Sequence, residues 1–359
     1  MPKVLHIIAR VNRGGTANFL GLLLPSLNDS GWNTILLTGN VQGYETEDST
    51  VENLVIHRCL NLYRKVSFLK DIRARQEIKQ YIKDFNPDLV QSHTFKAGLL
   101  LRTIRVKMPI IHTFHGHIFD DPEFSKVTRR LSILIERILA HRTTAFVSTG
   151  VAIKEDLISR RIGKPSQHYA IQPPILKIER IPKPRAFANL SLEITHQPVV
   201  VWAARVEKIK NPEGFAHLAR ENPDFQFLMF GEGSLVNEIE KLKLNNLKLM
   251  GWHARSDVFS IADFFVSTSF GEGLSNSLGE AAAFGLHILA TDVGGNREIL
   301  SEYRSKVLSG TSHSDLQEGF LKLQALKMKN IDFSHAQKVS LDQFLSRHIE
   351  IYRELLIDS

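Results

Sequence analysis

Two carboxylates, Glu272 and Glu280, stand with seven residues between them in "FGEGLSNSLGEAAAFG", where an apolar run gives way to glycines and then to an alanine-rich segment. One precedes the expected helix and the other lies inside it, about two turns in if the helix begins near Leu274. A carboxylate accepts hydrogen bonds in pairs, so two of them flanking a helix start suit the hydroxyls of a polyol better than a phosphate. Phosphate is served by cations and helix N-termini. The cations stand in "ARVEKIKNPEGF", where Arg205 and Lys210 follow an apolar run. Read alone, each of these residues is equally a solvated side chain on a loop or helix.

A second set lies nearer the start. Gly14 and Gly15 in "NRGGTANFL" let backbone approach a ligand closely, and Gly231 and Gly233 in "FGEGS" form a similar turn. "HTFHGH" carries His112, His115 and His117. Three histidines invite a zinc reading. Alternation along a strand places His112 and His115 on opposite faces, and no cysteine or second ligand cluster accompanies them. No metal and no cofactor are expected.

These residues need elements that bring them together. Apolar runs of strand length, 3–9, 33–39, 87–94, 109–116 and 143–149, alternate with helical patterns such as "GVAIKEDLISRRIG". The rhythm stops in 163–198, which holds six prolines and no convincing helix and reads as a linker. It restarts with runs at 199–206, 225–233, 247–252, 263–269 and 286–295. Continuous apolar strands separated by helices argue for parallel sheets covered on both faces. In the terminal segment Leu341, Phe344, Leu345, Ile349, Tyr352, Leu355 and Leu356 share a helical stripe. Capping-box patterns begin at Ser334 (with Gln337) and Ser340 (with Gln343). The expected fold is α/β: two doubly wound domains, 1–180 completed by a helix in 335–359, and 181–334. In such sheets ligands bind at the carboxyl ends of the strands.

The ordered set of motifs resembles the retaining family 4 glycosyltransferases of GT-B fold. It comprises "RGGTANFL", "ARVEKIKNPEGF", "FGEGS", "LMGWHARSDV" and "SFGEGLSNSLGEAAAFGLHILATDVGGNREIL", spread over nearly the whole chain. "SHTFKAG" with "IIHTFHGH" is similar to bacterial enzymes that extend lipid-linked or surface polysaccharides. The resemblance implies two domains facing across a cleft and transfer from a nucleotide-sugar, a UDP-sugar foremost, with retention at the anomeric carbon and without metal. It implies that Glu280 accepts hydrogen bonds from the ribose hydroxyls. Glu272 would hold the donor sugar, assisted by the N–H groups of Gly273, Leu274 and Ser275, with Asn276 beside them. Arg205 and Lys210 would neutralise the departing diphosphate, Gly15 (with Gly14) would meet phosphate or acceptor, and His115 would lie near the reacting centre. Trp252 and Arg255 would contact the base, although Trp252 also suits a packed core. The chain departs from the family at "QPPILKI", where an Asn-Gly pair is common, and at Gly279, where a bulky residue is common. A helical glycine at that point is expected to soften the helix.

Composition bounds these readings. The 359 residues are 43% hydrophobic and 23% charged, ordinary for a globular protein. A single cysteine, Cys59, leaves no internal disulfide and fits a reducing compartment. No signal peptide and no apolar stretch of membrane-spanning length is found, so a cytoplasmic location is expected. The net charge of +7 is uneven: residues 1–190 carry 28 Lys and Arg against 16 Asp and Glu, and the remainder carries 17 against 22. Basic clusters in 64–83, 102–107 and 126–130 suggest contact with an anionic membrane, although each alone is also an ordinary solvated helix face. Two other readings share these features. A nucleotide-sugar epimerase of the same fold needs further carboxylates in the first domain, where no clear set appears. A non-catalytic binder of nucleic acid would use the basic half, but the aromatic-interleaved patches of such proteins are missing.

Overall fold

The computed structural model describes every residue except Tyr44, His117, Ile118, Asp120, 328–338 and 358–359. The expectations for His117 and for the Ser334/Gln337 capping box therefore lie outside the described residues. The chain divides into two compact units, one of Met1–Phe119, Phe124–Pro174 and Val339–Ser359, the other of Asp120–Glu123 and Ile175–Lys338.

The first unit is a parallel sheet ordered β3-β2-β1-β4-β5-β6-β7. Its strands are β1 (Lys3–Ile8), β2 (Asn33–Thr38), β3 (Ile56–Arg58), β4 (Leu89–His93), β5 (Ile110–Phe114), β6 (Ala145–Ser148) and β7 (His168–Ala170). The central strands β4, β5 and β6 are buried throughout, as the continuous apolar runs require. Helices α1 (Gly15–Asp29), α2 (Phe68–Phe85), α3 (Thr94–Arg102), α4 (Lys126–Ala140) and α5 (Val151–Ser159) connect them. On α1, Ala17, Leu20, Leu23, Leu24 and Leu27 recur at helical spacing and are all buried.

The second unit is a parallel sheet ordered β10-β9-β8-β11-β12-β13. Its strands are β8 (Val199–Ala203), β9 (Gln226–Phe230), β10 (Leu247–Gly251), β11 (Phe264–Ser267), β12 (His287–Thr291) and β13 (Lys306–Ser309). Its helices are α6 (Lys183–Asn189), α7 (Pro212–Glu221), α8 (Val236–Glu240), α9 (Arg255–Ile261), α10 (Asn276–Phe284), α11 (Asn296–Ile299) and α12 (His313–Lys327).

The last helix, α13 (Leu341–Ile357), belongs to the first unit. Its start is a complete capping box: Ser340 Oγ accepts from the Gln343 N–H at 3.1 Å, and Gln343 Oε1 accepts from the Ser340 N–H at 3.1 Å. Phe344, Ile351 and Tyr352 enter the same core as Phe19, Leu20 and Leu24 of α1.

Two expectations are corrected. The proline-rich stretch 163–198 is not free of structure: it contains β7 and α6. Pro182 is the N-cap of α6 and Pro184 sits in its first turn, where a proline sacrifices no helical hydrogen bond, so these prolines begin a helix rather than prevent one. Helix α10 starts at Asn276, not near Leu274, so Glu280 lies little more than one turn inside it. Gly279 has a packing reason, since a Cβ there would stand 2.6 Å from Ile299 Cδ1 and 2.9 Å from Ile175 Cδ1.

Candidate active site

In the second unit the charged residues gather at the carboxyl ends of β8 and β11. The loop after β8 runs beside the turn after β9, with the Ala204 N–H donating to Phe230 O and the Val206 N–H to Glu232 O. Only glycine permits that approach. A Cβ on Gly231 (φ +136°) would fall 1.8 Å from Ala204 O, and one on Gly233 would fall 2.3 Å from Val206 O. "FGEGS" thus braces the loop that carries Arg205. Buried Glu207 ties the two strands of backbone together, accepting from the Ser234 N–H at 3.1 Å and from its hydroxyl at 2.7 Å.

Lys210 ends a 3-10 turn, Lys208–Lys210. Its carbonyl and that of Asn211 both accept from Thr268 Oγ1, whose oxygen accepts in turn from Trp202 Nε1. The lysine backbone is thereby fixed to the end of β11. Its ammonium meets Glu272, with Nζ 2.6 Å from Oε2, while Ser269 Oγ donates to Oε1 at 2.6 Å. The Glu272 side chain is 5% exposed, so both carboxylate oxygens have partners in a largely dry setting. The "DVGG" turn after β12 supports it: a Cβ on Gly294 (φ +51°) would sit 2.0 Å from Glu272 O, and the Gly295 N–H donates to Gly273 O at 2.9 Å.

A second pair forms between α9 and α10. Arg255 Nη1 stands 2.5 Å from Glu280 Oε1. Burial pushes the Glu280 carboxyl up to about 7, and the neighbouring guanidinium only partly opposes this. Ser275 is the N-cap of α10 but makes no capping hydrogen bond, and the first turn carries no acid, so the positive end of the helix is not neutralised from within. Trp252 is 55% exposed, which removes the core reading of its side chain.

In the first unit Gly14 and Gly15 are exposed and begin α1, Gly14 at φ +146° as its N-cap. One turn on, Phe19 meets the half-buried His115 ring edge-to-face at 4.6 Å between centroids. The predicted split of the histidines is present. His112 pairs with Ser92 at 2.9 Å, while His115 pairs with His93 at 3.0 Å. Among the described residues no group of three His, Cys, Asp or Glu is placed to hold a metal ion.

The site residues that sequence reasoning missed, Thr268, Ser269, Glu207 and His93, are ordinary polar side chains whose partners are distant in sequence. Glu207, Ser269 and His93 nonetheless lie within "ARVEKIKNPEGF", "SFGEGLSNSLGEAAAFG" and "SHTFKAG", and those motifs with the "DVGG" glycines were the visible signal.

Parallel sheets of this topology bind ligands at the carboxyl ends of their strands, and in the second unit cations, carboxylates and an uncapped helix start stand at those ends. The glycosyl transferase 4-like domain model matches residues 14–173, and the glycosyl transferases group 1 model matches 197–325. The chain belongs to the family 4, group 1 glycosyltransferases, and its fold is GT-B. It is thus an enzyme, and the epimerase and non-catalytic readings fall away. It is 25% identical to the Escherichia coli UDP-Gal:alpha-D-GlcNAc-diphosphoundecaprenol alpha-1,3-galactosyltransferase, with 83% of this chain and 82% of that protein covered. Among solved structures it is similar to sucrose-phosphate synthase from Thermosynechococcus elongatus (TM-score 0.82, 16% identity, all of both chains). It is also similar to HepE from Anabaena, solved with UDP and glucose (TM-score 0.77, 16% identity, 99% of this chain and 100% of that one).

Proposed function

We propose that this enzyme transfers a sugar from a UDP-sugar to a lipid-diphosphate-linked saccharide during assembly of a cell-surface polysaccharide, with retention at the anomeric carbon. The observation that carries the reading is the pairing of Lys210 with Glu272 and of Arg255 with Glu280 at the strand ends of the second unit. In this reading Glu280 accepts the ribose hydroxyls, Glu272 the hydroxyls of the donor sugar. Arg205, Lys210 and the uncapped N–H groups of α10 take up charge as the diphosphate departs, which is where a transfer of this kind gains most. Trp252 and Arg255 border the base. The second unit is the donor domain and the first the acceptor domain, with Gly14, Gly15 and His115 serving the reaction from it. UDP-Gal and a diphosphoundecaprenol acceptor stand in the name of the Escherichia coli relative, and UDP in that of the Anabaena structure, which supports these classes here.

A lipid-linked acceptor calls for contact with the cytoplasmic face of a membrane. No helix among the described residues is long and apolar enough to cross one. Helix α4 instead presents Val127, Leu131, Leu134 and Ile138 to solvent, each more than half exposed and spaced along one stripe, with exposed Lys126, Arg130 and Arg137 beside them. At the start of α2, Phe68 and Leu69 are likewise exposed among Arg64, Lys65 and Lys70. Apolar side chains flanked by cations are what an anionic bilayer surface binds.

The test is transfer itself. A panel of UDP-galactose, UDP-glucose and their GDP and dTDP counterparts is offered with diphosphoundecaprenol-linked GlcNAc, and the linkage of the product is read by NMR. An α-linked product from a UDP donor supports the proposal, and inversion or a strict preference for GDP or dTDP donors overturns it.

A further inference from the structure

Among the described residues, six buried or half-buried histidines stand in the first unit. Three of them are joined in a line, of which the proposed reaction has used only His115. His6 Nδ1 lies 3.1 Å from His93 Nε2, and His93 Nδ1 lies 3.0 Å from His115 Nε2. The line crosses three neighbouring strands, because β4 lies between β1 and β5 and alternation puts the three rings on one face. That face is covered by α1 and α13, whose Phe19 and His348 pack edge-on to each other. Phe19 also packs edge-on to His93, at 6.0 Å between centroids. Below the line, Gln91 donates to Thr113 Oγ1 at 2.7 Å and accepts from Tyr352 Oη, which ties α13 to the same sheet face.

We propose that His6 and His93 are positioning residues for sugar transfer, holding the His115 ring through two nitrogen–nitrogen hydrogen bonds so that Nδ1 alone is left to meet a reactant. The inference rests on the assignment of His115 to the reaction. Each bond needs one N–H and one lone pair. Burial, with His348 nearby, holds His6 and His115 near 3, and burial with the surrounding histidines holds His93 well below the ordinary histidine range. All three rings are therefore neutral at pH 7 and carry one N–H each. With both bonds intact only two arrangements remain. Either His6 donates to His93, His93 donates to His115 and His115 Nδ1 carries a proton, or every bond is reversed and Nδ1 offers a lone pair. The tautomer at the reactive end is thus conditional on a ring two strands away. No protein group partners His6 Nε2, so the line ends there among the described residues.

The experiment reads the tautomer directly, by ring 15N NMR of histidine-labelled protein, alongside turnover of the donor chosen by the panel above. In the native chain His115 shows one tautomer. In His93→Phe, which keeps the bulk but removes both bonds, His115 populates both. The value of kcat falls on the order of 10- to 100-fold, the scale of a small misplacement at a reacting group, while KM for the sugar nucleotide is unchanged. His6→Asn places an amide where Nδ1 stood and retains both tautomer and turnover, whereas His6→Leu loses both. A single unchanged tautomer in His93→Phe, or equal impairment in His6→Asn and His6→Leu, overturns the proposal. Should His93→Phe fail to fold, the two His6 variants decide. Full turnover in His115→Ala would remove the assignment of His115 to the reaction, and the proposal with it. The NMR result separates that outcome from failure of the hydrogen-bonded line itself.

Discussion

Lys210 and Glu272 neutralise each other at 2.6 Å, although the one is assigned to the diphosphate and the other to the sugar. A cation shared between a carboxylate and a leaving group places both in one electrostatic unit, so neither acts independently. Lys210→Ala is expected to cost about 3 kcal/mol of transition-state stabilisation, the scale for a donor aimed at developing negative charge. Glu272→Ala lowers transfer as well. The double variant is little worse than the poorer single one, because members of a unit are not additive. Steady-state kinetics on the four proteins measures the coupling, and strictly additive losses would show two separate functions.

Glu280 gives the proposed nucleotide site a pH dependence. Its carboxyl titrates at about 7 rather than the ordinary 4.5. A folded value above the unfolded one means that the native state holds a proton which the unfolded state has released. Stability from this group is therefore lost as pH rises from 4.5 to 7. Ribose hydroxyls favour the ionised form, so UDP affinity rises about tenfold between pH 6 and pH 8. Calorimetry with UDP on the native protein and on Glu280→Gln separates this change from titration of the nucleotide, since the variant retains only the latter.

The histidines of the first unit act in the opposite direction. His6 is held near 3 and His348 near 4, both by burial first, and His93 lies well below the ordinary value. On unfolding in mild acid each takes up a proton, so stability is lost as pH falls below 6.5. Each contributes about 1 kcal/mol of that loss between pH 7.5 and pH 5.5. Urea titrations at the two pH values, with His348→Leu for comparison, test it. A variant as acid-sensitive as the native chain would locate the effect elsewhere.

Transfer should proceed in a chelator. In the proposed reaction Arg205, Lys210 and the start of α10 take the place of the ion that metal-dependent transferases use. Loss of activity in EDTA with recovery on adding a divalent ion would contradict this.

Vesicles rich in anionic lipid should bind the protein with an affinity that falls as salt rises, since such contacts are screened over about 8 Å at physiological ionic strength. Leu131→Glu with Leu134→Glu on α4, or charge reversal within 64–83, weakens that binding and leaves UDP affinity unchanged. Sedimentation with vesicles at low and high salt distinguishes this from a merely solubilising face, for which neither set of variants matters.

The sequence made the central strands legible because each is a continuous apolar run. It hid β3, β7 and β13 because they are three or four residues long and stand at sheet edges, where half-burial leaves no pattern. The charged residues of the site were recognisable by type and order. Their pairing was not, because Lys210 reaches Glu272 only through a 3-10 turn pinned by Thr268. Gly231 and Gly233 were visible as special positions, but whether a glycine faces a ligand or a neighbouring carbonyl depends on a loop elsewhere in the chain. His6 carries no motif, and His93 lies in "SHTFKAG" with nothing there to mark its partners. Their connection exists only once three strands are laid side by side.

Helix α13 has a consequence for the order of events during synthesis. Phe344, Ile351 and Tyr352 fill the core lined by Val4, Ile8 and Leu20, more than three hundred residues earlier. The amino-terminal sheet therefore leaves the ribosome with one apolar face covered by α1 alone, and the part that α13 fills stays open while the second unit is translated. The unit begun first thus waits for α13, which is made after the second unit, and a nascent chain that stops short of Leu341 carries a first unit whose core lacks that helix.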